Sequence, residues 1–151
     1  MSDYVIGLTG GIASGKTAVS QRFEALGIIV ADAAAAARDA VAIGSDGLAD
    51  VVDMFGAGVL AADGSLDRPA MRRRVFADPD ARKRLEGIIH PHVRELLHAA
   101  CARAESPYAI AAVPLLAEGG GRRAYPWLRR ILVVDVPEAL QLQRLLQRDG
   151  I

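Results

Sequence analysis

Residues 4–17 read Tyr4-Val-Ile-Gly-Leu-Thr-Gly-Gly-Ile-Ala-Ser-Gly-Lys-Thr17, and this stretch decides the fold. The apolar run over 4–9 has no helical stripe and is followed at once by two glycines, a pattern typical of a buried strand in a parallel sheet. The segment over 16–26 is helical in pattern, with its apolar side chains on one face, and Gly27 follows it. The sequence therefore predicts a strand, a glycine-rich turn and a helix in direct succession.

The glycine-rich turn matches a pattern that binds the phosphates of a nucleoside triphosphate. Residues 10–17 fit G-x-x-x-x-G-K-[ST] without exception. Glycines let successive backbone N–H groups point at phosphate oxygens, and the positive end of the next helix faces the same anion. Lys16 would reach the β- and γ-phosphates, and the Thr17 hydroxyl would bind Mg²⁺. The residues predicted to bind the nucleotide are Gly11, Ile12, Ala13, Ser14, Gly15, Lys16, Thr17 and Ala18.

Three later apolar runs are predicted as further buried strands, namely 28–30, 108–113 and 131–136. Between the first and second of these, the periodic segments are helical: 33–42, 48–55, 69–76 and 79–104. Pro91 is expected to kink or break the last of these helices. This order predicts an α/β protein with the three-layer P-loop NTPase fold, a parallel sheet and a helical substrate-binding insertion. The predicted parts are a nucleotide-binding core at 1–32 and 106–151 and an insertion at 33–105.

Composition excludes several classes of protein. The 18 basic and 18 acidic residues cancel, so no net field would draw the chain onto nucleic acid. The one cysteine, Cys101, excludes an internal disulfide and is expected to be a small buried apolar residue. The N-terminus lacks the features of a signal peptide, and no apolar run reaches the roughly 18 residues of a membrane span. We expect a cytoplasmic protein with no nucleic-acid, membrane or obligate protein partner.

The composition and the length of the chain also indicate which nucleotide and which type of reaction to expect. Switch GTPases recognise guanine through an Asn-Lys-x-Asp segment, and this chain contains no asparagine. Motor and transporter ATPases are normally much longer. A short chain with this loop and a helical insertion after its second strand indicates an ATP-dependent kinase for a small molecule, with the substrate against the insertion.

The chain resembles the dephospho-CoA kinases over essentially all of its length. Members of that family use ATP to phosphorylate the ribose 3′-hydroxyl of dephospho-CoA, the last step of coenzyme A biosynthesis. The pairing of His90-Pro91 with Pro114-Leu-Leu-x-Glu118 is more particular to the family than the loop is. The other segments that carry the resemblance are 7–17, Asp32, Phe55-Gly56, 63–68, Val75-Phe76, Leu85-Glu86 and Arg144-x-x-x-Arg148-Asp149.

The resemblance implies catalytic roles for Lys16, Asp32 and Arg144. The family's base is the second acid of an Asp-x-Asp that follows the second strand, but here the segment reads Asp32-Ala33-Ala34. Alanine accepts no proton, so Asp32 would hold Mg²⁺ through water or partly substitute, unless it only caps the next helix. Arg144 would neutralise charge on the transferring phosphoryl group, unless it lies on a solvated face. Ala18 stands where the family usually has Thr or Ser.

The resemblance also implies that Arg38, His90 and Glu118 contact dephospho-CoA. Arg38, Arg68 and the arginines at 72–74 would meet its diphosphate, or would form solvated surface. Family members are longer, which implies that this chain stops before the lid and the last strand and has weak or no activity alone. Two alternatives stay open: another P-loop nucleoside or metabolite kinase, and a catalytically impaired nucleotide-binding fragment.

Overall fold

A computed structural model describes residues 3–11, 13–114, 116 and 121–149 of the chain. Its strands are β1 (Val5–Gly10), β2 (Ile29–Asp32), β3 (Ala109–Ala112) and β4 (Arg130–Val134). Its helices are α1 (Lys16–Ala25), α2 (Ala33–Ala40), α3 (Asp46–Phe55), α4 (Arg68–Ala77), α5 (Pro79–Arg103), α6 (Gly121–Ala124) and α7 (Glu138–Asp149). A single 3₁₀ turn spans Ala57–Val59.

The chain divides into two compact units. The first unit comprises Met1–Ala33 and Leu97–Ile151, and the second comprises Ala34–Leu96. The division falls inside α5, several residues before the boundary expected at 105, because the buried side chains of Leu97, Cys101 and Ala104 belong to the first unit. Across the described ranges, no helix has both the length and the apolar character that crossing a bilayer requires.

The first unit is built on a four-stranded sheet in the order β2-β3-β1-β4, with every pair parallel. Leu8 of β1 pairs with Ala112 of β3, which in turn pairs with Asp32 of β2. On its other side, β1 pairs Gly10 with Val134 of β4. The prediction of an α/β fold with a parallel sheet is confirmed, and the loop after β1 leaves the middle of the sheet at its carboxyl edge.

Alternation along β1 sends its side chains to opposite faces of the sheet. Leu8 is fully buried and joins Ile28 and Ile110 in a cluster to which Val19 and Phe23 of α1 add their side chains.

Gly7, one residue earlier, belongs to the other face. A Cβ there would lie 2.8 Å from Cδ1 of Leu128 and 3.5 Å from Cδ2 of Leu116. The glycine therefore lets these two leucines pack directly on the backbone of β1.

The predicted burial of Cys101 is confirmed, and burial raises the pKa of its thiol to about 11.

The second unit is entirely helical in its regular structure and has its own core. The buried members of that core are Val41, Val51, Val59 and Met71. The Ser45 hydroxyl joins α2 to α3, because it donates to the carbonyl of Ala40 at 3.0 Å and accepts from the N–H of Leu48 at 3.1 Å. Asp67 caps α4 in the same way by accepting from the N–H of Ala70.

Two features of the helices depart from expectation. Of the two effects expected of Pro91, a kink or a break, the break is excluded, because α5 runs without interruption from Pro79 to Arg103. Proline removes one N–H, so the carbonyl of Gly87 loses its helical partner, but residue 87 is exposed and water can satisfy it. The short helix α6 had no counterpart among the predicted elements, since Gly121–Ala124 is too short to show a period.

Gly47 and Gly87 provide a matched test of helix packing in the second unit. A Cβ at Gly47 would collide with the carbonyl oxygen of Ala40, whereas a Cβ at Gly87 would have nothing within 4 Å. We expect Gly47→Ala to lower the free energy of unfolding by about 1–3 kcal/mol or more through overpacking. Gly87→Ala should raise it by about 0.5–1 kcal/mol, since alanine favours helix. Urea denaturation measures both, and equal effects would contradict the packing described.

Candidate functional site

The cavity at the carboxyl end of β1 has a volume of about 800 Å³. Residues from the loop, α1, α7 and the end of β3 line it: Gly10, Gly11, Ala13, Ser14, Gly15, Lys16, Thr17, Ala18, Pro114, Arg144 and Arg148. The cavity thus includes seven of the eight residues predicted to bind the nucleotide. The eighth, Ile12, lies outside the described residues.

The loop curls through two residues with left-handed backbone. Gly15 has a φ of 100°, and Ala13 has a φ of 57°, which is uncommon for a residue with a Cβ. The N–H of Ser14 donates to the carbonyl of Gly11 at 3.2 Å, which closes the turn. Gly15 is the N-cap of α1 and supplies no side-chain cap. The first N–H groups of α1 are therefore available to an anion.

Close packing leaves no room for a side chain at Gly10 or Gly11, at the start of the loop. A Cβ at Gly10 would lie 2.6 Å from the hydroxyl oxygen of Ser14 and 2.7 Å from the carbonyl oxygen of Val134. A Cβ at Gly11 would lie 2.5 Å from Nε2 of Gln141 on α7. These glycines therefore let β4 and α7 approach the loop, a second role that the sequence motif alone did not reveal.

Ser14 presents an unmet hydrogen-bonding group within the loop. Its side chain is only 2% exposed, and its Oγ has no hydrogen-bond partner among the described residues. Leaving a buried polar group unpaired costs about 1–3 kcal/mol. A phosphate oxygen bound in the loop is the kind of acceptor that would satisfy this hydroxyl.

Arg144 ties α7 to the loop. Its Nη1 donates a hydrogen bond to the carbonyl oxygen of Ser14 at 3.1 Å. The same nitrogen lies 3.4 Å from the position that a Cβ on Gly15 would take. Sequence reasoning placed Arg144 near the phosphates but missed its protein acceptor, because a backbone carbonyl carries no residue signature.

The cavity is strongly cationic. Of the described residues that line it, Lys16, Arg144 and Arg148 are basic, and none is acidic. Lys16 and Thr17 are the first two residues of α1, which points the helix N-terminus at the same space. A concave surface with this charge and free backbone donors favours a polyphosphate.

Asp32 lies on the same edge of the sheet but apart from the cavity. It is exposed at the end of β2, and its register partner Ala112 separates it from Leu8 of β1. Two strand spacings put its backbone about 10 Å from β1. Ala34 is the second residue of α2, is exposed, and belongs to the second unit. The structure therefore brings Lys16 and Arg144 together, and leaves Asp32 outside the cavity lining.

Two of the three residues expected to contact the acceptor lie in the second unit. Arg38 and His90 are both exposed in the second unit, on α2 and α5. Glu118 lies outside the described residues. On α5, Nε2 of His92 lies 3.0 Å from Oδ2 of Asp50. No group of three His, Cys, Asp or Glu side chains in the described part of the chain could hold a metal ion.

Sequence comparisons match this chain to a known protein family. The family model described as CoaE, dephospho-CoA kinase, matches residues 4–151. A dephospho-CoA kinase from Xanthomonas oryzae pv. oryzae is 58% identical over 150 residues, covering 99% of this chain and 74% of the relative. A dephospho-CoA kinase from Xylella fastidiosa is 52% identical over 151 residues, covering 100% of this chain and 72% of the relative.

Solved structures agree in fold. The crystal structure of TT1252 from Thermus thermophilus matches with a TM-score of 0.78 at 32% identity, covering 100% of this chain and 75% of that one. The dephospho-CoA kinase from Campylobacter jejuni matches with a TM-score of 0.68, with the same coverage. Because its identity is 24%, this second likeness concerns the fold alone.

The two left-handed residues of the loop differ in how their exchange should affect stability. Ala13→Gly should change the free energy of unfolding by less than about 1 kcal/mol. The relief of about 1–2 kcal/mol of backbone strain is offset by the greater freedom of glycine in the unfolded chain. Gly15→Ala should lower the free energy of unfolding by about 1–3 kcal/mol, since its φ of 100° strains any side chain. Thermal or urea unfolding measures both; an undiminished stability of Gly15→Ala would contradict the loop conformation.

Proposed function

The chain belongs to the dephospho-CoA kinase family, and we propose that its cationic cavity holds ATP for this family's reaction. The activity is phosphorylation of the ribose 3′-hydroxyl of dephospho-CoA by ATP, the last step of coenzyme A biosynthesis. The observation that carries the assignment of residues is the loop itself. It combines an uncapped helix N-terminus, left-handed residues and three cations around one cavity.

In the transfer, the 3′-oxygen of the acceptor forms a bond to the γ-phosphorus. The bond from that phosphorus to the oxygen it shares with the β-phosphate breaks, ADP leaves, and the hydroxyl proton goes to a base or to water. The protein contributes mainly position and charge. In the proposal, Lys16 and the first N–H groups of α1 hold the β- and γ-phosphates and stabilise the negative charge of the transferring group.

Arg144 has two tasks in this proposal. One of its N–H groups holds the Ser14 carbonyl, which fixes the loop relative to α7. A guanidinium has five N–H donors, so others remain for the phosphoryl oxygens. The residue thereby couples the shape of the loop to the charge that neutralises the γ-phosphate.

Mg²⁺ suits the donor set of this site. The hydroxyl of Thr17 stands in the first turn of α1 and lines the cavity. Mg²⁺ usually keeps several waters and takes its remaining ligands from one or two protein groups and the substrate phosphates, so a single hydroxyl is sufficient. Thr17 would hold the ion directly and Asp32 would meet it through water. When bound, the ion supplies neutralisation of charge on the β- and γ-oxygens.

The two units would divide the substrates between them. The proposal gives ATP to the first unit and dephospho-CoA to the helical unit, where Arg38 and His90 are exposed and available to an anionic acceptor. Both substrates are small molecules, so no nucleic acid, membrane or obligate protein partner enters the proposal. A cytoplasmic location belongs to it because ATP is the phosphoryl donor.

Lys16→Ala tests the nucleotide site, with Lys83→Ala as its control. The chain has two lysines, and Lys83 is exposed on α5 and does not line the cavity. We expect Lys16→Ala to weaken ATP binding roughly tenfold to a hundredfold, because a charge-assisted contact to phosphate is lost. Lys83→Ala should bind ATP like the wild type. Isothermal calorimetry measures both, and equal affinities would refute the role of the loop lysine.

Ala34→Asp tests whether the missing acid limits the reaction. A positioned general base typically contributes 10²–10⁴-fold, so kcat should rise roughly tenfold or more, with some of the effect already supplied by Asp32. Ala34→Asn is the control, since it has the same shape without a basic oxygen pair and should leave kcat unchanged.

An unchanged kcat in Ala34→Asp would show that the base assignment is wrong. If the wild type and Ala34→Asp both bind ATP and neither phosphorylates dephospho-CoA, the chain is the impaired nucleotide-binding fragment. A panel of other nucleoside and metabolite acceptors decides the remaining alternative. Transfer only to an acceptor other than dephospho-CoA would replace the assigned substrate.

A further inference from the structure

Helix α7 contacts the nucleotide loop at a second point besides Arg144. Gln141 is partly buried in the first turn of α7, where its backbone N–H donates to the carbonyl of Pro137 at 3.1 Å. A Cβ at Gly11 would lie 2.5 Å from Nε2 of Gln141 and 3.8 Å from its Cδ. Sequence neighbours aside, no other residue that the structure describes comes within 4 Å of that position. The end of the glutamine side chain therefore packs against the start of the loop.

The two contacts of α7 lie at the two ends of one backbone turn. The turn runs from Gly11 to Ser14 and is closed by the N–H of Ser14, which donates to the Gly11 carbonyl at 3.2 Å. Arg144 donates to the carbonyl of Ser14 at 3.1 Å, and the amide of Gln141 lies against Gly11. Residues three apart are neighbours on one face of a helix, so a single turn of α7 spans the whole turn of the loop.

Ala13, inside this turn, needs support from its surroundings. Its φ of 57° is left-handed, which is unfavourable for a residue with a Cβ and persists only where neighbouring groups hold the backbone. A glutamine amide has two N–H donors and one carbonyl acceptor, the partners that peptide groups of a loop take. Gln141 is not among the described residues that line the cavity, so its effect on a bound nucleotide would pass through the loop.

We propose that Gln141 is a positioning residue for the nucleotide. Together with Arg144 it keeps the turn at residues 11–14 in the shape that receives phosphate. Arg144 also contributes charge at the cavity, whereas the neutral Gln141 contributes position alone. The place of Gln141 against the loop follows from the sheet, because β4 pairs with β1 and leads directly into α7. The inference rests on the proposed function for the identity of the nucleotide.

A double-mutant cycle between Gly11 and Gln141 tests the assignment, with ATP affinity measured by calorimetric titration in the presence of Mg²⁺. Gln141→Ala should weaken ATP binding roughly threefold to tenfold, as expected for the loss of about one hydrogen bond. Gly11→Ala should weaken it by a similar factor, because the new methyl group displaces the flexible end of Gln141. In the double variant the methyl group has room, so the total loss should equal that of Gln141→Ala alone.

Gln143→Ala is the matched control, because Gln143 is the same residue type on the same helix, is exposed and does not line the cavity. It should bind ATP like the wild type. Gln141→Met keeps the length of the side chain without its polar groups and should weaken binding like Gln141→Ala, which gives a second measurement if Gln141→Ala does not fold.

A kinetic measurement separates positioning from a general loss of structure. Gln141→Ala should raise the KM for ATP and leave the KM for dephospho-CoA unchanged, whereas a loosened fold would raise both. Urea denaturation establishes that each variant is folded. Gly11 is not among the left-handed residues of the chain, so its backbone accepts alanine.

The outcomes separate this inference from the proposed function. If the wild type phosphorylates dephospho-CoA and the Gln141 variants bind ATP as tightly as it does, the inference is overturned and the function stands. The same holds if Gly11→Ala costs an equal factor with and without Gln141. If the cycle shows the expected coupling but neither the wild type nor Ala34→Asp transfers phosphate, the positioning role stands and the function fails. Absence of ATP binding by the folded wild type overturns both.

Discussion

The parallel pairing of β1 between β3 and β4 is the constraint on which the nucleotide site depends. β1 carries the fully buried Leu8, and the chain leaves this strand at Gly10, between β3 and β4 at the carboxyl edge of the sheet. From Gly10 the glycine-rich loop leads directly to the N-terminus of α1 at Lys16. Because β4 pairs with β1, the α7 helix that follows it comes back over the loop, and Arg144 reaches the Ser14 carbonyl. The basic side chains of α1 and α7 and the backbone N–H groups of the loop therefore border the same cavity.

The loop retains local conformations that are unfavourable by themselves. Ala13 is left-handed, and the Ser14 hydroxyl is buried without a partner among the described residues. Each costs on the order of 1–3 kcal/mol, and such features persist where the surroundings over-determine the backbone. Here the surroundings are the carbonyl of Val134 and the side chains of α7. The stability of the sheet therefore supports a loop that is arranged for a ligand rather than for its own stability.

The sequence predicts the strands and the phosphate-binding loop because the signals for both are local. Apolar runs gave the four strands to within two residues, and the spacing of the loop gave Lys16 and Thr17. What it missed depends on distant contacts: the acceptor of Arg144 is a carbonyl, and the persistence of α5 through Pro91 depends on solvation and packing. The roles of Asp32 and His90 stay predictions, since each is exposed and no local pattern fixes its partner in the reaction.

The hydrogen bond between Arg144 and Ser14 joins residues 130 positions apart. The motif at residues 10–17 is synthesised early, but its final shape waits for α7 at Glu138–Asp149. Contacts of such sequence separation form late and slow folding. During synthesis, the nascent chain would carry a complete nucleotide-binding motif in its sequence long before it had a formed site. ATP would then stabilise the finished unit rather than guide its assembly.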